Sequence, residues 1–572
     1  MIVRLIALAL LSLSSVLAFA QTPGVVPDAG AIIRETREPF RLPPPSPDLA
    51  PRPPEPRPAL GAQPKLRVKV AGFTFSGNTL IPSDDLQPKV QEFVGKELNF
   101  EGLNDAATEV RAYYRSRGYF LAQAYLPEQT IRNGVVEITI IEGRWGIIEL
   151  DKKPATRIST RLLAGILGAH LQQGGIITET GLERPLLLIN DLPDATVTTE
   201  LRPSETVGAA NLRVNVDPGA GPITGFVDAD NHGNRFTGEY RYGVSVNWNQ
   251  PAEWGDRLTV RAFTTDEHMS YGRIAYDLPV GYWGTRVGLS YSKFDYALGK
   301  DFASLLANGE GEVTTFYGSH SLVRTRNTNL LINFGSETKK LIDRVQSTTP
   351  TTVTEQKIDT FKLGLVGDFR DGFLGGGLNA YGATYTWGNT GTSAAAAGAD
   401  TRNTEGNFNK WNYDLRRQQR LTDDASILFS VSGQVASRNL ASAEKFSLGG
   451  PNGVRAYPVG EATADSGVVS QTELRYIIPG TKILGGDLTF LAFFDYGYAK
   501  INQVPARDPA TNVITDSENI RSFSGSGIGG SLGKEGDFLL RIQAAWSYNG
   551  ELPQSDTARR VPRVWMQGIK WF

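Results

Sequence analysis

The stretch Tyr240-Arg241-Tyr242-Gly243-Val244-Ser245-Val246-Asn247-Trp248 reads as a strand with two unlike faces. Tyr240, Tyr242, Val244, Val246 and Trp248 fall on one side, and Arg241, Gly243, Ser245 and Asn247 on the other. Side chains alternate across a strand with a period of two. An aromatic-rich apolar face set against a small and polar one is the pattern of a barrel strand with lipid outside and a polar lumen inside. The pattern recurs at 286–292, where Val287, Leu289 and Tyr291 oppose Arg286, Gly288, Ser290 and Ser292. It recurs again at 487–500, where Leu488, Phe490, Ala492, Phe494, Tyr496 and Tyr498 share a face. Turns such as Trp254-Gly255-Asp256 separate the strands, and the chain closes on the aromatic Phe572. At about 9–11 residues per strand plus turns and longer outer loops, the region 220–572 accommodates about sixteen strands. Lys570 stands where such barrels usually carry an aromatic. The predicted fold is a transmembrane antiparallel β-barrel of about sixteen strands preceded by two small α/β domains.

The N-terminus gives the matching address. Arg4, a mostly apolar run over 5–17 and Ala18-Phe19-Ala20 before Gln21 make residues 1–20 a secretory signal peptide. No later run approaches the roughly 20 apolar residues of a membrane helix. Insertion must therefore use a closed barrel, which leaves no backbone group unpaired in lipid.

Composition narrows the function. A formal net charge of −2 provides no polycation for nucleic acid, and the absence of cysteine excludes disulfides, thiolate metal sites and cysteine nucleophiles. His170, His232, His268 and His320 lie far apart without ligand spacing. Residues 525–530 match a dinucleotide fingerprint by letters but lack the following helix, and read as a glycine-rich barrel strand. No catalytic, cofactor-binding or metal-binding residues are predicted. Passage or recognition is expected rather than covalent chemistry.

Between signal and barrel the chain divides again. Residues 21–65 hold a short helix candidate at 29–41, with Asp28 as its N-cap, and a linker whose prolines favour an extended form. The 23 residues of 42–64 could span about 70 Å in polyproline form. Residues 66–143 read as β-α-α-β-β: a strand at 68–75, helices at 84–94 and around Leu103, Ala107, Val110 and Tyr114, and strands at 121–126 and 135–141 joined through Asn133-Gly134. Residues 144–219 repeat that order, with strands at 147–150, 195–201 and 211–216 and helices at 159–167 and 179–190.

Several motifs carry a family resemblance. Phe75-Ser76-Gly77-Asn78-Thr79 resembles the opening of a POTRA domain, a periplasmic polypeptide-transport module. Leu448-Gly449-Gly450 with Val454-Arg455-Ala456-Tyr457-Pro458 resembles the sixth-loop motif of the outer-membrane assembly-factor superfamily, and Phe494-Asp495-Tyr496-Gly497 its partner on a late strand. Asp230-Asn231-His232-Gly233 with Thr237-Gly238 resembles the first hairpin of the hemolysin secretion/activation (ShlB/FhaC/HecB) group. The ordered set is similar to two-partner secretion transporters, the TpsB proteins. Ala456 departs from the superfamily's usual glycine.

The resemblance implies two periplasmic POTRA domains, 66–143 and 144–219, a barrel with an inward-folded sixth loop near 440–468, and a place in the Gram-negative outer membrane. It implies a lock formed by Gly449, Gly450, Val454, Arg455 and Tyr457 against Asp495 and Gly497. Asp495 shares parity with Asp487, Thr489 and Gly497, opposite the apolar face, and so faces the lumen. A carboxylate there needs a partner, and Arg455 on the inward loop supplies a two-pronged one. Glu473 and Arg475 share the lumenal parity of their strand and extend the network. The implied partners are outer-membrane lipid and a large β-rich TpsA-like exoprotein, recognised through its secretion domain by open strand edges of the POTRA domains. The helix at 29–41 becomes a lumenal plug by the same resemblance. An outer-membrane protein insertase is the alternative, and a receptor or passive porin a more distant one. Two modules and a proline-rich N-terminus favour secretion.

Overall fold

The computed structural model describes residues 26–36, 47, 67–393, 400, 402–506, 514, 518–548, 553–556 and 560–572. The expected signal peptide and nearly all of the proline-rich linker lie outside the described residues.

The first element, α1 (Ala29–Glu35), sits within the barrel lumen and is taken up with the site. The first periplasmic module comprises β1 (Val68–Lys69), β2 (Gly72–Ser76), α2 (Ser83–Val90), β3 (Glu97–Leu98), α3 (Phe100–Ser116), β4 (Gln123–Tyr125) and β5 (Val135–Ile141). Asn99 caps α3, accepting from the Gly102 amide at 2.9 Å. Leu103, Ala107, Val110 and Tyr114 form the buried stripe that their spacing predicts. They pack with Val136, Ile138 and Ile140 of β5. The strand expected over 68–75 is broken, because its halves have different partners: β1 pairs with β3, and β2 runs parallel to β5. The helix expected over 84–94 ends as α2 at Val90, and one 3-10 turn, Gln91–Phe93, leads to Gly95. Asn133 and Gly134 both have positive φ, but their turn closes only the bridge between Arg132 and Val135, while the paired part of the preceding strand is cut to β4.

The second module comprises β6 (Arg144–Lys152), α4 (Thr160–His170), α5 (Glu179–Asn190), β7 (Ala195–Pro203) and β8 (Ala209–Pro218). Its sheet order, β6-β8-β7, matches β2-β5-β4 of the first module. In both, the first strand runs parallel to the last and the second antiparallel to it. The two units are copies of one topology, as the repeated element order predicts.

The barrel comprises β9 (Ile223–Asp230), β10 (Arg241–Asn249), β11 (Arg257–Thr265), β12 (Met269–Val280), β13 (Thr285–Ala297), β14 (Ala307–Arg324), β15 (Thr328–Val345), β16 (Thr352–Asp371), β17 (Gly377–Thr392), β18 (Gly406–Arg420) and β19 (Ala425–Ala436). Two short strands inside the next loop, β20 (Phe446–Ser447) and β21 (Thr463–Ala464), form a hairpin of their own. The wall resumes with β22 (Ser466–Ile483), β23 (Gly486–Lys500), β24 (Ile520–Lys534), β25 (Phe538–Ser547) and β26 (Arg563–Trp571), which pairs with β9 to close sixteen antiparallel strands. Tyr240, Tyr242, Leu289, Phe490, Phe494 and Tyr496 are exposed on the outer wall, as their parity predicts. Lys570 also faces outward near the periplasmic rim, where its ammonium pairs with Asp537 in the adjacent turn. A long stem on apolar wall with its charge at the interface explains how lysine fits there.

The second module is docked on the barrel's periplasmic turns. Asp194 accepts from the amides of Gly219 and Gly221 at 2.9 and 2.8 Å. Arg324 grips Asp191 through two hydrogen bonds of 2.7 Å. The Arg184 guanidinium donates to the carbonyls of Trp283, Ser321 and Leu322. Trp254 and Tyr282, both on turns, pack against the module's core.

Candidate functional site: the occupied lumen

The segment between β19 and β22, residues 437–465, folds back into the barrel. Its tip is a tight turn: the Val454 amide donates to the Leu448 carbonyl at 2.7 Å, and the Gly450 amide to Tyr457 at 3.1 Å. Gly450 has φ +110°, a left-handed conformation that favours glycine there. A side chain on Gly449 would strike the Pro458 carbonyl. The turn delivers Arg455 to the wall.

There the expected residues meet. Arg455 Nε and Nη2 donate to the two oxygens of Asp495 at 2.9 and 2.8 Å, and the Arg455 amide adds a third bond at 3.0 Å. Arg455 Nη1 donates to Glu473 at 2.7 Å, and Arg475 Nε donates to the other Glu473 oxygen at 2.7 Å. Arg455 is 3% exposed and Asp495 0%. Two carboxylates and two guanidiniums thus balance, Arg475 from the partly exposed side, and every nitrogen of the Arg455 fork is used. Tyr457 stacks on Phe523 with ring centroids 4.1 Å apart. Gly497 admits Val454, whose Cγ2 lies 2.9 Å from where a Cβ would stand.

Other contributors were not predicted. Phe493 lies under the Arg455 guanidinium, 3.5 Å from ring centroid to carbon, a cation–π contact. It shares the parity of Asp495, so the alternation already placed it in the lumen. Trp565 Nε1 donates to the Arg455 carbonyl at 2.7 Å, tying the last strand to the loop. Gly525 faces Ala456: a Cβ on Gly525 would lie 2.6 Å from the Ala456 Cβ. The departure of Ala456 from the superfamily's glycine is thereby accommodated across the contact. Glu461, fully buried, accepts from Arg521 at 2.8 Å and from the amides of Gln554 and Ser555, fastening the loop to the β25–β26 connection. No motif marks it.

The second occupant is α1. Asp28 caps it, accepting from the Ala31 amide at 2.7 Å. Ile32 and Ile33 are buried among Phe236, Phe294, Leu341 and Phe408 of the lumen. The Ala29 amide donates to Asp343 on β15 at 2.8 Å. The helix expected over 29–41 ends at Glu35, with Thr36 as its C-cap, and residues 37–41 lie outside the described residues.

At the first hairpin, Arg241 forks onto Asp230 at 2.7 and 3.0 Å. The Asn231 side chain donates to the Val564 carbonyl at 2.8 Å and accepts from the Met566 amide at 2.7 Å, prolonging the short β26–β9 seam.

With this geometry in place, comparison with known proteins is decisive. Residues 208–517 match the model of the haemolysin secretion/activation protein ShlB/FhaC/HecB family. The chain belongs to that family. Residues 68–143 match the ShlB-type POTRA domain. The heme/hemopexin transporter protein HuxB of Haemophilus influenzae (strain ATCC 51907 / DSM 11121 / KW20 / Rd) is 26% identical over 517 residues, covering 89% of this chain and 87% of HuxB. The outer membrane transporter CdiB of Dickeya dadantii is 26% identical over 442 residues, covering 74% and 75%. Among solved structures, CdiB from Escherichia coli superposes with a TM-score of 0.69 at 21% identity, over 91% of this chain and 94% of that one. BamA from Haemophilus ducreyi lacking POTRA domains 1–3 shares the fold with a TM-score of 0.50 at 11% identity, over 89% of this chain and 100% of that one. The family member described here is an outer-membrane two-partner secretion transporter, with its POTRA domains in the periplasm, which moves a large β-rich exoprotein from periplasm to cell surface or medium. The insertase alternative is not favoured.

Proposed function

We propose that export proceeds without covalent chemistry, by capture, unlocking and passage. The single observation that carries this reading is a lumen filled by the protein's own loop and helix, held by polar contacts that can be exchanged. The exoprotein's secretion domain is captured in extended form on strand edges of the two modules. In the first, β2 and β4 lie at the edges with five and three residues; in the second, β6 and β7 lie there with nine each. The α1 helix plugs the resting lumen, Arg455 with Asp495 and Glu473 locks loop six to the wall, and folding outside the cell supplies the drive.

Capture is tested with the purified exoprotein secretion domain and the full transporter in detergent. Deleting residues 66–143 should abolish binding while leaving the barrel inserted, since the barrel has its own closed strand set. Binding at wild-type affinity after the deletion would move capture to the second module. Loss of binding to a transporter lacking both modules is then the deciding arm, and undiminished binding there overturns capture by strand edges.

A further inference from the structure

A second buried charge cluster lies in the lumen away from Arg455. Glu444 closes the 3-10 turn Ser442–Glu444 at the start of loop six and is fully buried. Lys339 Nζ of β15 lies 2.5 Å from one carboxylate oxygen, and Lys410 Nζ of β18 lies 2.7 Å from the other. Lys410 also donates to the Glu444 carbonyl at 2.7 Å, as does Gln434 Nε2 at 3.0 Å. Lys339 and Lys410 are 2% and 3% exposed, so neither is solvated in place of its partner. Lys339 also meets Glu337, which Lys362 approaches at 3.2 Å. A buried ion set of this kind is retained only with close geometry and satisfied neighbours. It fixes one short turn to two strands three steps apart in the wall.

The helix rests on that same turn. Gly30 meets Ser442 so closely that a Cβ there would stand 2.1 Å from the Ser442 hydroxyl and 2.6 Å from the Ala443 nitrogen. Arg34 Nη1 donates to the Ser442 carbonyl at 2.7 Å. Ala441 and Ala443 join Ala29, Ile32 and Ile33 in one apolar cluster. The turn is therefore gripped by the wall on one side and by the helix on the other.

We propose that Glu444 is a positioning residue for α1: it holds the turn Ser442–Glu444 as the helix's seat, so that seating of the helix and the position of this end of loop six form one linked equilibrium. The inference rests on the reading of α1 as the resting plug. Linkage is reciprocal: loosening the turn unseats the helix, and removing the helix loosens the turn.

The chain lacks cysteine, so single-cysteine variants of the full protein in lipid vesicles report position cleanly to a small water-soluble maleimide. Ile33→Cys, 7% exposed, should label slowly in the otherwise unaltered protein. Glu444→Gln should speed that labelling about tenfold, the shift expected when one charged partner of a buried hydrogen-bonded set is lost. Glu444→Asp, which keeps a negative charge between Lys339 and Lys410, should stay nearer the slow rate, a rescue that general loosening of the barrel would not produce. Gly30→Val, which leaves the wall residues unchanged and breaks the same contact from the helix side, should speed labelling to the same extent and serves if Glu444→Gln does not assemble. In the other direction, Ala441→Cys should label faster once residues 21–42 are deleted. Slow Ile33→Cys labelling in both Glu444→Gln and the parent overturns the seat while leaving the plug standing. Ala441→Cys labelling indifferent to the deletion overturns the linkage. Fast Ile33→Cys labelling in the parent itself overturns the plug, and the seat with it.

Discussion

Loop six and α1 share one lumen and are held in opposite ways. Loop six is continuous with β19 and β22, and its buried charges have matched partners: Arg455 on Asp495 and Glu473, Glu461 on Arg521. The helix has seven residues, and its polar ties beyond its own cap include those of the Ala29 amide to Asp343, of Arg34 to Ser442 and of Glu35 to Asn234. So short a helix has no stability of its own in water, and it exists while its seat exists. A loop pinned in this way moves only if several buried charges part together; a helix tied in this way leaves when one face is lost. The contrast sets a loop tied by several buried charges against a short helix tied mainly by its packing.

The strongest way to break that contrast is at Arg455. Arg455→Ala leaves Asp495 and Glu473 buried without the guanidinium, a loss worth about 3–5 kcal/mol. Export of the exoprotein should fall to about a tenth or less at matched barrel abundance, and a blot of culture medium against outer membrane measures it. Arg455→Lys keeps the charge but not the fork, and should restore only part. Undiminished export in Arg455→Ala would mean that the lock is merely structural.

Deleting residues 21–42 tests the helix side. Single-channel conductance in planar bilayers should rise, because the helix fills part of the lumen while the Arg455 end of loop six keeps its ties to Asp495 and Glu473. Equal conductance and equal open probability with and without the segment would leave loop six as the sole obstruction. A smaller effect is expected from packing alone. Gly525→Ala adds a methyl group against the Ala456 Cβ, an overpacking worth about 1–3 kcal/mol. The barrel should melt earlier, and Gly525→Ala combined with Ala456→Gly should recover part of the loss, since the Trp546 carbonyl stays 2.8 Å from the added Cβ. Failure of the second change to compensate would show that the two positions are not a matched pair.

The strand code was legible because lipid and lumen impose opposite demands on alternate residues. Tyr240, Leu289 and Phe494 face outward for that reason, and Asp495 inward. Arg455 itself came from a motif, since a loop has no period to read. Glu444 and Glu461 had neither a period nor a motif, and their partners Lys339 and Arg521 lie 105 and 60 positions away in the chain. The break between β1 and β2 was hidden for a related reason: propensity marks strand residues but not a change of partner.

A second contrast sets the lock against the joint that carries the second module. Arg455 stays charged at any physiological pH, whereas His170 lies at the joint and titrates. Its Nε2 is 3.2 Å from the Tyr282 carbonyl, and its ring meets Trp283 edge-on with centroids 4.5 Å apart. Burial holds its pKa below the ordinary histidine value of about 6.5, opposed by the Tyr282 carbonyl and aided by the Arg184 charge. The sign follows from proton counting. As pH falls through about 6.5, an undocked His170 takes up a proton before a docked one, so the undocked form gains. The joint's full strength is present above that pH, declines below it and levels off beneath the docked value. Hydrogen exchange of α4 and of the turn at 281–284, corrected for intrinsic rates, should therefore show less protection at about pH 5.5 than at about pH 7.5. His170→Phe, which keeps the ring against Trp283 without a titrating nitrogen, should flatten that trend. An equal loss of protection in His170→Phe and the parent would place the pH sensitivity elsewhere than at His170.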